Sequence, residues 1–217
     1  MAAARIGPRR PEYPLLTRRS AGMALWRVSE DMNGLSFSVG AGRRSRFSPI
    51  YAADGVTVIG SWYGATSRPG AIFESVFHDI RPSHRYPRVQ PNEYVDRYLS
   101  PITTTRDLTL VDLTSTGLHA IGITRVALIE STSRRYAWTN DIATRLRAAA
   151  PAADGFVWVS RAHDRAESVV LFDDSVPARM IDTHPTERSL ALGLGPGLNL
   201  LRELALDAKI TLVLPNP

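Results

Sequence analysis

Short runs of apolar residues, some of them alternating with polar residues, recur along the chain and predict β-strands. The predicted strands cover residues 23–28, 56–65, 108–113, 155–160, 168–172 and 209–214. The fourth and fifth, "GFVWVS" and "SVVLF", flank the polar stretch "RAHDRAE". Two short strands around a polar connection predict a hairpin.

Three segments carry apolar residues at helical spacing and predict helices. In the first, Ser67 is a predicted N-cap and Pro69 lies in the first turn, where a missing N–H costs little. Its apolar stripe consists of Ile72, Phe73, Val76, Phe77 and Ile80. The second helix is predicted from near Ser133 to Pro151, and the third covers residues 195–207.

The order of these elements predicts the fold class. Strands and helices interleave irregularly, with no repeated βαβ unit and no glycine fingerprint that opens a helix. This pattern favours an α+β fold, a single domain with a mixed β-sheet flanked by helices. The glycine- and serine-containing residues 33–49 predict a loop able to approach a ligand, and residues 81–104 predict a loop or short helices.

The first residues differ in composition from the rest. Residues 1–20 contain five arginines, three prolines and one acidic residue. The prolines interrupt any amphipathic helix and no apolar secretion segment follows. We therefore expect residues 1–22 to form a flexible tail and residues 23–217 to form the folded domain.

Composition narrows the possible chemistry. The chain has 217 residues, no cysteine and a net charge of +5. Without cysteine it has no disulfide, thiolate metal site or cysteine nucleophile, which fits a reducing compartment such as the cytoplasm. Lys209 is the only lysine, so 25 of the 26 basic residues are arginine, but they are scattered and accompany no nucleic-acid-binding motif.

Familiar catalytic and metal-binding motifs are missing from the sequence. The five histidines lack the spacing of a metal site, and no G-x-S-x-G, Walker or Rossmann loop is present. No run is apolar over the roughly 18 residues that a membrane span needs. We therefore expect no metal, no permanently bound cofactor and no membrane partner.

Polar residues at the ends of apolar elements remain as candidates. Arg27 lies near the end of the first strand, Arg46 lies in the predicted loop, and Tyr63 ends the second strand. Glu74 lies on the following helix, and Ser160 ends "GFVWVS". Taken singly, each has an ordinary structural explanation, such as a surface ion pair, a core tyrosine or a solvated helix glutamate.

Their order along the chain is more specific. The blocks "LWRV", "RFSPIYAADGVTVIGSWYGATSRPGAIFESVFHD" and "DGFVWVSRAHDRAESVVLFDD" together resemble the RES domain family over roughly residues 23–175. By position, Arg27, Arg46, Tyr63, Glu74 and Ser160 match the family's characteristic arginines, tyrosine, glutamate and serine. The chain departs from the family at "RRS" before Arg46, where members often have two glycines.

The resemblance implies an NAD-consuming toxin of a bacterial toxin–antitoxin pair, with a fold like that of ADP-ribosyltransferases. NAD would be a substrate, with water or inorganic phosphate as acceptor of ADP-ribose. Glu74, Arg27, Tyr63 and Ser160 would be catalytic, and Arg27, Arg46, Tyr63 and Ser160 would bind NAD. The implied partner is a helical antitoxin of the Xre type, through which any nucleic-acid contact would be indirect.

The residue types suit such chemistry, since one carboxylate can stabilise an oxocarbenium-like sugar and arginines can bind two phosphates. Two alternatives stay open. The same site could transfer ADP-ribose to a protein, or the chain could be a non-catalytic module that binds an antitoxin or nucleic acid.

Overall fold

The computed structural model describes residues 13–39, 44–52, 54–80, 85–175 and 180–215. The strands are β1 (Leu16–Arg19), β2 (Ala24–Ser29), β3 (Ile50–Tyr51), β4 (Val58–Ile59), β5 (Ser61–Ala65), β6 (Arg88–Val89), β7 (Tyr98–Thr104), β8 (Leu108–Asp112), β9 (Gly155–Val159), β10 (Glu167–Phe172), β11 (Ile181–Thr183), β12 (Leu190–Ala191) and β13 (Thr211–Leu212). The α-helices are α1 (Arg68–Phe73), α2 (Ser115–Ala120), α3 (Arg125–Leu128), α4 (Tyr136–Ala149) and α5 (Gly195–Asp207). Single 3₁₀ turns cover Pro91–Glu93, Ser133–Arg135 and Asp173–Ser175.

Within the described residues, nine strands form one mixed sheet. Their order is β1-β8-β9-β10-β5-β2-β7-β11, with β12 also pairing β7. The β8–β9 pair is parallel and the other pairs of this sheet are antiparallel. The described helices pack on one face of this sheet, in the clusters that contain Tyr63 and Ala65 of β5, and the cluster on the other face contains only strand and loop residues. The predicted α+β class with a mixed sheet is the observed one.

Both faces of the central strands are buried, which explains why their sequences are continuously apolar. On β10, Val170 packs in the cluster that includes α4 residues, whereas Val169 and Leu171 pack in a separate cluster on the other side. Successive strand side chains point to opposite faces, so a strand covered on both sides has no polar alternation. A third cluster joins α1 and α5 to β2 and β7.

The sheet opens between β2 and β5. These strands pair at a single position, Trp26 with Ala65, whereas β2 pairs β7 over six residues. Beyond Trp26 the two strands therefore diverge, and α1 packs over the opening against β2 and β5. This divergence creates the space that holds the candidate site.

Most of the predicted elements are present. The strands predicted at 108–113, 155–160 and 168–172 are β8, β9 and β10, and β9 and β10 form the predicted antiparallel hairpin. The two long predicted helices are α4 and α5. Residues 40–43 of the predicted loop lie outside the described residues.

The predicted first helix is shorter than expected. The prediction of a helix through Ile80 is wrong, because α1 ends at Phe73 and Glu74 is its C-cap. After Glu74 the backbone bonds become irregular, and the Ser75 hydroxyl donates to the Ala71 carbonyl. A serine hydroxyl that bonds the preceding turn competes with regular helix. Nevertheless Val76 and Phe77 are buried as the apolar stripe predicts.

Six strands were not predicted, and the two longest of them are β7 and β1; the others are β3, β6, β11 and β12. Residues 98–104, expected to be a loop or short helices, form β7 and pair with β2 over six residues. Pro101 lies inside this strand, and a proline is unusual in the interior of a sheet. Within the predicted tail, Leu16–Arg19 form the edge strand β1 on β8, so a flexible tail over 1–22 is wrong for these residues. Residues 1–12 lie outside the described residues.

Two predicted strands are shorter than expected. The strand predicted over 56–65 divides at Gly60 into β4 and β5. The Gly60 N–H donates to the Asp173 carboxylate at 2.8 Å, and a Cβ at Gly60 would lie 2.2 Å from that side chain. The last predicted strand is reduced to β13, which pairs β6 in a separate two-stranded sheet. Among the described residues, no helix is both long and apolar enough to span a membrane.

A buried carboxylate beside the hairpin provides a test of the packing. Asp154 is 4% exposed and accepts two hydrogen bonds from Arg106 and one from the Thr109 N–H. We expect Asp154→Asn to lower the free energy of unfolding by about 2–3 kcal/mol, since the amide lacks the charge that pairs with Arg106 and places an NH₂ group against one of its donors at a buried position. Urea denaturation measures this change.

Asp107→Asn is the matched control, because the Arg18–Asp107 pair is largely exposed. Its expected cost is below about 1 kcal/mol. Equal costs for the two variants would contradict the assigned burial of Asp154.

Candidate active site

A cleft of about 460 Å³ lies at the opening between β2 and β5. Four of the five predicted site residues line it, namely Arg27, Arg46, Tyr63 and Glu74. The fifth, Ser160, lies behind Glu74 and is fully buried. The structure thus brings together residues from β2, the loop before β3, β5, the end of α1 and the end of β9.

Glu74 is held by the polypeptide that follows β9. Its Oε1 accepts a hydrogen bond from the Ser160 hydroxyl at 2.6 Å and another from the Arg161 backbone N–H at 3.1 Å. Its Oε2 accepts no hydrogen bond from any described residue, and the side chain is half-buried on the cleft wall. One carboxylate oxygen is therefore fixed and the other is available to a ligand.

Ser160 orients Glu74. While its hydroxyl donates to Glu74, its oxygen accepts the N–H groups of Ala162 at 3.1 Å and His163 at 3.0 Å. The prediction that Ser160 itself binds the ligand is not supported by this position, because the hydroxyl is buried and fully engaged. Ser160 is therefore a residue that positions the Glu74 carboxylate.

Arg161 links the same loop to the turn after α1. Its guanidinium donates to the His78 carbonyl at 3.1 Å and lies 3.2 Å from His78 Nε2. Burial and the Arg161 charge lower the pKa of His78, so the ring is neutral near pH 7 and Nε2 can accept from Arg161. The contact fixes the turn that carries Glu74.

Arg46 is the least satisfied charge in the cleft. The residue is 5% exposed, and neither Nε nor Nη2 has a hydrogen-bond partner. No ion pair joins Arg46 to any other described residue. Burial lowers the pKa of Arg46, and the nearby charge of Glu74 partly offsets this effect. A buried cation without a partner is costly unless a ligand supplies the missing negative charge.

The loop around Arg46 is fixed from two sides. Asn140 on α4 donates its side-chain N–H groups to the carbonyls of Ser45 and Arg46, at 2.9 and 3.1 Å. The Tyr63 hydroxyl accepts the Phe47 N–H and lies 2.7 Å from the Ser45 hydroxyl. Ser45, which stands where the family often has glycine, therefore anchors the loop to Tyr63.

Tyr63 serves as a wall of the cleft. Its ring lies edge-on to Trp158, with the ring centroids 6.4 Å apart. Burial raises the pKa of Tyr63 to about 12, so the hydroxyl stays protonated at neutral pH. Because this hydroxyl is already bonded to Ser45 and Phe47, the ring is the part of Tyr63 best placed to contact a ligand.

Arg27 lies at the opposite side of the opening. Its Nη1 donates to the Ser36 carbonyl at 2.6 Å, and its guanidinium lies 5.5 Å from the centroid of the Trp62 ring. Burial lowers the pKa of Arg27 to about 10, which leaves it charged at neutral pH. Arg27 is one of the residues that line the cleft.

The sequence did not identify every residue of the site. Asn140 is missed although it carries a readable signal, since it is a polar residue among the buried positions of α4. Trp158 and Ser168 also line the cleft, but in the sequence they are ordinary strand residues. Within the described ranges, no group of three or more His, Cys, Asp or Glu side chains is arranged to hold a metal ion.

The family follows from comparison with known domains. The RES domain matches residues 24–192 of this chain. The chain belongs to the RES domain family. The match includes every one of the five predicted site residues, and no curated protein sequence matches the chain.

The fold of this RES domain is shared with a solved toxin–antitoxin complex. The crystal structure of the M. tuberculosis MbcT–MbcA toxin–antitoxin complex superposes with a TM-score of 0.57 and 14% sequence identity. The superposition covers 87% of this chain and 92% of the other. The two chains therefore share a fold, and the predicted α+β architecture is confirmed.

The hydrogen bonds of Ser160 predict a measurable loss of stability. Ser160→Ala removes the acceptor of two N–H groups and the donor to Glu74, so we expect the free energy of unfolding to fall by about 1–3 kcal/mol. Ser48→Ala is the matched control, since Ser48 is equally buried but its hydroxyl has no partner. Chemical denaturation compares both variants with the parent, and an unaltered Ser160→Ala would contradict the assigned bonds.

Proposed function

We propose that this RES domain degrades NAD by cleaving the bond between nicotinamide and ribose, with water or inorganic phosphate as the acceptor of ADP-ribose. One observation carries the proposal: the same cleft is lined by Glu74 and Arg46. Glu74 is fixed through one carboxylate oxygen, and Arg46 is buried with two guanidinium nitrogens that have no hydrogen-bond partner. Such an arrangement suits a ligand that develops positive charge at one end and bears negative charge at the other.

The reaction requires little from the protein besides charge and position. When the C1′–N bond breaks, its electron pair leaves with nicotinamide, which is then neutral and needs no proton. The ribose acquires oxocarbenium character, which the Glu74 carboxylate stabilises. An oxygen of water or phosphate then bonds to C1′, and the acceptor's proton is released.

The fixed position of Glu74 matters for this step. The Ser160 hydroxyl and the Arg161 N–H hold Oε1, so the carboxylate does not have to be reoriented as the sugar becomes positive. Preorganised charge is effective because its cost is paid during folding rather than during reaction. Ser160 therefore contributes to catalysis through Glu74.

The arginines fit the diphosphate of NAD. A guanidinium presents N–H donors in a planar fork that matches phosphate oxygens. Arg46 has its donors unused and Arg27 has one donor engaged with Ser36. A second cleft of about 650 Å³ adjoins the first, and both are lined by His78 and Tyr136, which gives an elongated dinucleotide additional room.

We further propose that the protein acts as the toxin of a toxin–antitoxin pair. The similar solved chain comes from a toxin–antitoxin complex, and its likeness covers most of both chains. The partner would be a helical antitoxin of the Xre type, and the cytoplasm, which contains NAD, would be the place of action. Formation of a stable complex with such an antitoxin, measured by size-exclusion chromatography, tests this part separately.

Glu74→Gln tests the catalytic assignment. The amide keeps the shape of the side chain but removes the charge that stabilises the sugar, so NAD consumption should fall by about 10²-fold or more. We would follow NAD concentration over time with purified protein. Glu203→Gln, at an exposed position on α5, is the matched control and should keep the parent's rate.

The outcome also separates the possible acceptors. Undiminished NAD loss in Glu74→Gln would contradict the site assignment. With labelled NAD, label that stays on small molecules supports degradation, whereas label on protein supports transfer to a macromolecule. A rate that rises with added phosphate identifies phosphate rather than water as the acceptor.

A further inference from the structure

Two buried polar groups on the cleft wall have no hydrogen-bond partner. They are Nε1 of Trp158 and Oγ of Ser168. Each residue is 2% exposed, and both residues line the cleft that contains Glu74. A buried donor or acceptor without a partner costs free energy that a suitable ligand can recover.

The two residues are neighbours. Ser168 on β10 is directly opposite Trp158 on β9 in the antiparallel ladder, so their side chains project from the same face of the sheet. Ala65 on β5 is opposite Ser168 on the other side, and it too lines the cleft. The Tyr63 ring packs edge-on against Trp158. The two residues with unpartnered groups are thus adjacent on an aromatic part of the cleft wall.

The chemistry of the pair is specific. An indole N–H can only donate, whereas a serine hydroxyl can also accept. A donor beside an acceptor complements a primary carboxamide, whose carbonyl oxygen accepts and whose NH₂ group donates. A carboxylate offers no donor to the serine, and a methyl ketone offers only the carbonyl.

We propose that Trp158 and Ser168 recognise the carboxamide of the nicotinamide ring, with Trp158 donating to its carbonyl oxygen and Ser168 accepting from its NH₂ group. The inference rests on the proposed function and names the specificity-determining residues for the leaving group. It places the nicotinamide end of the substrate against the β9–β10 face. The diphosphate then extends toward the arginines.

A substrate lacking the NH₂ group isolates the Ser168 contact. We would measure kcat/KM for NAD and for 3-acetylpyridine adenine dinucleotide, in which a methyl ketone replaces the amide. In Ser168→Ala, kcat/KM for NAD should fall about 2- to 10-fold, which corresponds to the net free energy of one hydrogen bond. The value of kcat/KM for the analogue should stay unchanged, because the analogue has no NH₂ group to donate to Ser168. The ratio of the two values therefore falls by the same factor.

Ser48→Ala is the matched control, because it removes a buried and unpartnered hydroxyl outside the cleft lining. It should leave the ratio as in the parent. Trp158→Phe, which keeps an aromatic ring but removes the N–H, should lower kcat/KM for both substrates. Thermal unfolding of each variant shows whether the fold is retained.

The results separate this inference from the function on which it rests. If the parent consumes NAD and Ser168→Ala leaves the ratio unchanged, the assignment of Ser168 is overturned and NAD degradation stands. If Ser168→Ala slows both substrates equally, the carboxamide contact is likewise overturned. If the parent leaves NAD intact, the proposed function fails and the inference fails with it.

Discussion

The hydrogen bond from Ser160 to Glu74 is the interaction on which the site depends. It joins the end of β9 to the end of α1, across 86 residues of sequence. Ser160 is fixed in turn by the N–H groups of Ala162 and His163, so a tight turn of backbone determines where the carboxylate lies. Since α1 is short and ends at Phe73, the helix alone would leave Glu74 free to move.

The second constraint is the opening of the sheet. The strands β2 and β5 diverge beyond one residue pair, and this divergence leaves the space into which Arg27 and Glu74 extend from different elements. Arg46 faces that space with no partner among the described residues. A protein that buries an unpaired cation sacrifices stability, and such sacrifices are concentrated where a ligand is bound.

Sequence patterns predict the parts of this structure that local physics determines. The hairpin β9–β10 and the long helices follow from strand runs and helical spacing. The resemblance of the three sequence blocks to the RES domain family implied that Arg27, Tyr63 and Glu74 share a site, and these residues do line one cleft. The end of α1 was not predicted, because it depends on how Ser75 and the following turn bond to the helix. The strand containing Pro101 was missed because a proline in the sequence is evidence against a central strand. Only the structure shows that this segment pairs with β2.

The role of each residue in the site is harder to predict from the sequence than the fact that the residue belongs to the site. Ser160 has the right place in the order of residues, but only the three-dimensional structure shows that its hydroxyl is turned toward Glu74 and away from the ligand. Likewise Asn140, which fixes the loop of Arg46, is 94 residues distant from that residue in sequence. Such contacts depend on the packing of α4 against the loop, which no local pattern encodes.

The role of Arg46 is tested most directly by a substitution that removes its charge and keeps a side chain of similar length. The measurement is calorimetric binding of ADP-ribose to the parent and to Arg46→Met, together with thermal unfolding of both. The assignment of Arg46 as a phosphate-binding cation predicts that the variant is at least as stable as the parent yet binds ADP-ribose about 10-fold or more weakly, since charged hydrogen bonds to phosphate are lost. A variant that is strongly destabilised and binds ADP-ribose as tightly as the parent would contradict it.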